Sequence, residues 1–273
     1  NGGRPGGCAM RDEAPGHVVT YGETDVADVR LLSSRVTGRE TSVGLVPEGL
    51  EVKIQYFHRH LSFTVPGIFG RSLAYSLCAA LAVAEALDLQ DGAEKMLVEH
   101  FTPLPGRVRI IPGKNGITLL DDSYNAAPAS VMSGLRDLAS LELRPAQRRI
   151  AVIGEMRELG IEAEAAHRQI GAEAARLKLD LFLPCGTFAR VMAEGARANG
   201  MTAEQVRPLE DTLDAIPFLE AYVKPGDVVF TKASQGKVDS KGVRMERVVK
   251  ALMAEPERAG ELLCRQEERW KTK

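Results

Sequence analysis

From His17 to Val65 the chain alternates short apolar and polar runs. HVVTY (17–21), VRLLSSRV (29–36), TSVGLV (41–46), EVKIQYF (51–57) and HLSFTV (60–65) are rich in Val, Ile, Thr and aromatics, and Gly, Pro or charge breaks them at hairpin-like intervals. The pattern predicts an antiparallel sheet. At Gly70 the period changes: RSLAYSLCAALAVAEALDL is Ala/Leu-rich and nearly apolar all round, which predicts a helix buried on most of its circumference. A second helix is expected over 92–100. The following FTPLPG, residues 101–106, carries two prolines and has the composition of an interdomain linker.

Beyond the linker, strand and helix patterns alternate. Strands are expected over 107–111, 116–122, 148–154, 179–186 and 227–234, and helices over 129–141, 163–177, 187–198, 211–222 and 244–255. Such alternation requires crossover connections, so the expected fold class is α/β: a Rossmann-like, mainly parallel sheet with helices on both faces, preceded by antiparallel strands and buried helices. The expected divisions are 1–102, 103–255 and a charged tail over 256–273. Several of these strands end in Gly or small polar residues before a helix, and open α/β sheets bind ligands at such ends.

Composition narrows the function classes. Thirty-five basic and 37 acidic residues in 273 leave a formal charge of −2, so no general positive field draws nucleic acid or an anionic membrane. The four cysteines, Cys8, Cys78, Cys185 and Cys264, form no CxxC pair, which argues against a zinc site or a disulfide framework and suits a reducing cytoplasm. No apolar run reaches the ~18–20 residues of a membrane helix, and residues 1–16 lack a signal-peptide core. The chain opens NGGRPGG without Met, and it is expected to begin inside a domain.

The segment LLDDSYNAAPAS, residues 119–130, carries the most chemistry. A buried strand ends there in two adjacent carboxylates, followed by Ser, Tyr and Asn, then a proline suited to a helix's first turn. Paired Asp at a strand end are costly to desolvate unless they cap a helix, bind a metal or accept from ligand hydroxyls. Helix capping and ligand binding both remain open on these residues alone.

DDSYNAAP resembles the DDSYNANP signature of the Mur ligases, closest to the MurF type that adds D-alanyl-D-alanine to UDP-N-acetylmuramoyl-tripeptide. RRIAVIGEMRELG (148–160) with His167, and GDVVFTKASQG (226–236) with VRMERVVKAL (243–252), are similar to further family motifs in the same order. More faintly, residues 17–89 resemble the end of the family's central domain. The resemblance implies an ATP-dependent amide ligase of peptidoglycan precursor synthesis, cytoplasmic and monomeric, working through an acyl phosphate with ATP and Mg²⁺. No GxxGK[ST] phosphate loop occurs in this sequence, so Mg²⁺ ligands are expected elsewhere and the isolated chain is expected to be inactive.

Carried over by position, Asp122 corresponds to the acceptor for the ATP ribose hydroxyls, and Arg107 approaches the ribose and phosphates. Tyr124 and Asn125 stand near the terminal phosphate, with helix entry as the alternative. Ser76 stands where the family has an adenine-contacting Asn. Lys232 and Ser234 are candidates for meeting the carboxylate of D-alanyl-D-alanine, or are an ordinary strand end. Glu155, Glu158 and His167 match the second motif and are not expected to be catalytic; His167 is expected to be structural. Sister Mur, folylpolyglutamate or cyanophycin ligases, and a non-catalytic nucleotide-binding or interaction module, are the alternatives. The SYN tripeptide favours the MurF type; Ser76 leans towards the module.

Overall fold

The computed structural model describes residues 14–271 except 90, 91, 93, 94, 97, 98 and 237–239. The chain divides into two compact units. One takes in the chain up to Thr37 and Glu48–Thr102; the other comprises Gly38–Pro47 and everything from Pro103 onward.

β1 (Tyr21–Gly22), β2 (Val29–Thr41), β3 (Gly44–Tyr56) and β4 (Arg59–Pro66) form one sheet in sequence order, which belongs to the first unit except for the 38–47 ends of β2 and β3. β3 and β4 pair antiparallel as expected, but β1 runs parallel to β2, and HVVTY contributes only its last residue to a strand. TSVGLV is not a strand of its own. A turn at Ser42–Val43 splits it between β2 and β3. Side chains at every second position, Leu50, Val52, Ile54 and Tyr56, are buried together with Val29 and Leu31, the period-two signature of one covered face.

Helix α1 (Arg71–Ala86) packs on this core through Ala74, Leu77, Cys78, Leu81 and Ala82. Their spacing marks a single stripe, while Val83 and Leu87 are 57% and 62% exposed. Burial around most of the helix is therefore not observed in this unit. Of the expected 92–100 helix, Lys95, Met96 and Glu99 are helical, and residues 93, 94, 97 and 98 lie outside the described residues.

The second unit contains a five-stranded sheet in the order β5-β6-β9-β7-β8. Its strands are β5 (Arg109–Pro112), β6 (Thr118–Asp121), β7 (Arg149–Ile153), β8 (Leu181–Pro184) and β9 (Val228–Lys232). β5 is antiparallel to β6; the other pairings are parallel. Every residue of β6, β8 and β9 is buried, as strands covered on both faces by crossover helices require. The helices are α2 (Pro128–Ala139), α3 (Ala163–Arg176), α4 (Ala189–Ala198), α5 (Ala215–Tyr222) and α6 (Glu246–Leu252).

β9 lies between β6 and β7, so their C-terminal ends, and the loops that leave them, lie side by side. The 256–273 segment is not a mere appendage. It forms α7 (Ala259–Leu262) and α8 (Glu268–Lys271), and Ala259, Leu262 and Leu263 join the core that holds Ile111, Leu119 and Val248. Apolar LLC (262–264), lying between charged flanks, is the sequence signal for this docking.

Candidate functional site

The two aspartates that end β6 lie in different environments. Asp121 is fully buried. Its Oδ1 accepts the Ser123 N–H at 3.1 Å and its Oδ2 has no hydrogen-bond partner among the described residues. Burial pushes its pKa up to about 6, opposed by the Ser123 hydrogen bonds and reinforced by the charges of Asp122 and Glu246. Asp122 is 7% exposed and forms an ion pair with Lys232, while its Oδ1 accepts from Val108 N–H at 3.4 Å. Burial raises its pKa and the Lys232 charge works against that rise. Neither carboxylate caps α2. Its N-cap is Ala127, whose backbone is bonded instead by the Ser130 hydroxyl, so the capping alternative is not what this pair does.

Lys232, at the end of β9, is 1% exposed. Its ammonium spans from Asp122 to the Asn125 carbonyl, 2.9 Å away, and so ties β9 to the loop after β6. The Ser234 hydroxyl donates to the Ala126 carbonyl at 2.9 Å and accepts the Arg157 N–H at 3.0 Å. Both expected carboxylate-binding side chains are thus engaged within the protein.

Tyr124 and Asn125 project from the same loop and are exposed. The Arg107 guanidinium lies 4.2 Å from the Tyr124 ring centre, a cation–π contact. Gly106 makes this packing possible: it has φ +72°, and a Cβ there would lie 2.9 Å from Cys264 Sγ and 3.0 Å from Tyr124 N. Arg107 and Tyr124 border a cleft of about 530 Å³ whose far wall includes Arg265 and Trp270 of the tail. Ser76 lies on α1 in the other unit, exposed, with its hydroxyl 3.4 Å from the Ser72 carbonyl.

Arg265 was not singled out in the sequence. It is 7% exposed, donates to the carbonyls of Ser123 and Tyr124, and pairs with the buried Glu246, which Arg244 also holds. Its guanidinium lies 5.0 Å from the Tyr124 ring centre. An arginine in a charged tail gives no sequence signal that it satisfies loop carbonyls some 140 residues earlier.

The second motif plays a supporting part. His167 is completely buried; its Nε2 accepts the Met156 N–H at 3.0 Å and its Nδ1 lies 2.6 Å from the Ala163 carbonyl. With Nε2 accepting, the ring is neutral, and burial holds its pKa below the ordinary value. Glu155 accepts the Thr187 N–H at 2.7 Å, joining the loops after β7 and β8. Glu158 is exposed, with φ +64°. Among the described residues no group of three His, Cys, Asp or Glu side chains gathers as a metal site.

A mainly parallel sheet with a buried Asp–Asp–Lys cluster at its C-terminal edge, beside a cleft, is the setting in which the comparisons with known proteins fall. Residues 106–235 match the family described as Mur ligase, glutamate ligase domain, and they form a Mur ligase C-terminal domain. Over 179 residues, 58% of this chain, the sequence is 36% identical to the UDP-N-acetylmuramoyl-tripeptide-D-alanyl-D-alanine ligase of Mycobacterium tuberculosis, covering 34% of that protein. It is 26% identical over 197 residues to the ligase of the same name from Bacillus subtilis, covering 71% of this chain and 40% of that protein.

MurF from Acinetobacter baumannii has the same fold, with a TM-score of 0.68 at 21% identity over 88% of this chain and 48% of that one. The MurF ligase of Thermotoga maritima in complex with ADP gives 0.66 at 22% identity over 92% and 52%. Within the Mur ligases the chain is thus similar to the MurF type. It spans about a third of the length of the mycobacterial relatives it matches.

Proposed function

We propose that this chain supplies the C-terminal, acceptor-side part of an ATP-dependent amide ligase that adds D-alanyl-D-alanine to UDP-N-acetylmuramoyl-tripeptide in peptidoglycan precursor synthesis. One observation carries the proposal: the MurF-like DDSYN loop sits at the C-terminal edge of the parallel sheet with Asp122 fixed by Lys232. In this scheme ATP phosphorylates the donor carboxylate. The amine of the dipeptide attacks the acyl phosphate, loses a proton and expels phosphate.

The chain's own contribution is binding and orientation. Asp122 keeps a second lone pair on each oxygen and accepts from nucleotide hydroxyls at its exposed edge, with Lys232 setting its direction. Arg107 and Tyr124 offer a cation and an aromatic face to the phosphates and sugar of ATP, and Asn125 an amide near the terminal phosphate. Ser76 is the candidate contact for adenine. The carboxylates present do not fit Mg²⁺: Asp122 and Glu246 are buried against cations and Asp121 is sealed in the core. This cluster therefore does not hold the ion, and without a phosphate loop in its sequence the chain alone is expected to turn over no ATP.

A second acceptor is favoured by one observation. The UDP-N-acetylmuramate-L-alanine ligase of Streptomyces coelicolor is 30% identical over 240 residues, which is 83% of this chain. Equilibrium titration of the 273-residue chain with ATP, D-alanyl-D-alanine and L-alanine separates the two. Saturable binding of ATP and the dipeptide is expected; binding of L-alanine in its place supports the second reading, and binding of none overturns both.

A further inference from the structure

Outside the ends of β6, β9 and β7 lies a cleft of about 910 Å³. Asn125–Ala127 form one wall, Arg157–Leu159 another, and Ser234–Gly236 border it as well. Lys232 and Ser234 cannot turn to a ligand here without abandoning Asp122, Asn125 and Ala126. Arg157 can. Its backbone N–H is fixed to the Ser234 hydroxyl, yet its side chain is exposed and its guanidinium has no hydrogen-bond or ion-pair partner among the described residues. It lies against Gly236, where a Cβ would come within 2.8 Å of Nη1; the bare glycine leaves room for it.

The remaining groups select the kind of ligand. Asn125 Oδ1 accepts the Ala126 N–H, which leaves its Nδ2 to donate into the cleft. α2 begins beside the same loop with no side chain capping its first turn, so its end adds partial positive charge near Asn125. Glu158, next to Arg157, brings a negative charge to the same wall. One cation, a neutral donor and a neighbouring carboxylate suit a zwitterion that carries a single carboxylate better than a phosphate dianion.

We infer that Arg157 is a specificity-determining residue that pairs with the free carboxylate of the incoming dipeptide, in place of the buried Lys232. The inference rests on the acceptor role proposed above. A guanidinium presents two parallel N–H donors to the two carboxylate oxygens, a match that a C-terminal amide cannot reproduce.

The test is a cycle of two ligands and three proteins. D-alanyl-D-alanine and its C-terminal amide are titrated by calorimetry into the parent chain, Arg157→Gln and Arg157→Lys. The parent is expected to prefer the free carboxylate by on the order of tenfold, Arg157→Lys to keep part of that preference, and Arg157→Gln to bind the two ligands equally. Because the Arg157 side chain is exposed and has no partner among the described residues, thermal melts of the three proteins should coincide. A preference that survives in Arg157→Gln, or a parent that never discriminates, overturns the role of Arg157 and leaves the acceptor role standing. A parent that binds neither ligand removes the acceptor role and the inference together.

Discussion

The sharpest consequence of the buried acidic pair is a pH dependence of stability that one substitution should erase. Asp121 is sealed from water with one oxygen unpartnered among the described residues, and its pKa is pushed up to about 6 from an ordinary 3.8. The folded protein therefore binds this proton more tightly than the unfolded chain does. Stability from Asp121 is present below the unfolded value and is lost as pH rises through the folded one. At roughly 1.4 kcal/mol per pH unit of difference, the full loss is about 3 kcal/mol, of which about 2 kcal/mol falls between roughly pH 4 and pH 8.

Asp121→Asn removes the titration. The Asn Oδ1 still accepts the Ser123 N–H, while its amide group takes the unpartnered position at a cost on the order of 1–3 kcal/mol. That cost does not vary with pH. The quantity to measure is therefore the change in the parent–variant stability difference between the two pH values, from urea unfolding followed by far-UV circular dichroism. The variant should gain about 2 kcal/mol on the parent between roughly pH 4 and pH 8. A difference that stays constant with pH would refute the assignment of a raised proton affinity to Asp121.

Three further outcomes follow from the site. Lys232→Met leaves Asp122 buried without its cation and should cost about 3–5 kcal/mol; urea melts should show that adding Asp122→Asn recovers part of the loss. Arg265→Ala strips donors from the Ser123 and Tyr124 carbonyls and a partner from Glu246, so a loss of roughly 2–4 kcal/mol is expected by thermal unfolding, and weaker nucleotide binding should accompany it if Tyr124 is displaced. His167 is neutral when folded, with a lowered pKa. Its contribution is present at neutral pH and lost as pH falls below the ordinary imidazole value, so His167→Ala should flatten the acid limb of the stability profile relative to the parent.

The parallel sheet was legible because continuous apolar runs such as TLLD and LFLP, alternating with helical patterns, admit few other folds. DDSYN could be placed at a strand end because the period changes there. What eluded the sequence was the use each polar group is put to. Lys232 and Ser234 sit at an exposed-sounding strand terminus, yet long-range hydrogen bonds from Lys232 to Asp122 and from Ser234 to Ala126 take them out of circulation. Arg157 belongs to a motif that looked structural, and only the third dimension sets it beside Gly236. The tail reads only as charged because charge dominates its composition, although Ala259, Leu262, Leu263 and Cys264 are buried and Arg265 bonds the Ser123 and Tyr124 carbonyls and Glu246. The parallel β1 was missed because HVVTY carries strand propensity but only its last residue enters a strand.

The proposed acceptor role is tested most directly by ligation itself. Residues 103–273 of this chain, joined to the preceding domains of the Mycobacterium tuberculosis relative, would be assayed for ADP release and product with UDP-N-acetylmuramoyl-tripeptide and either D-alanyl-D-alanine or L-alanine. Turnover that requires D-alanyl-D-alanine is the expected result. Turnover with L-alanine alone, or none from a chimera that folds and binds ATP, would contradict it.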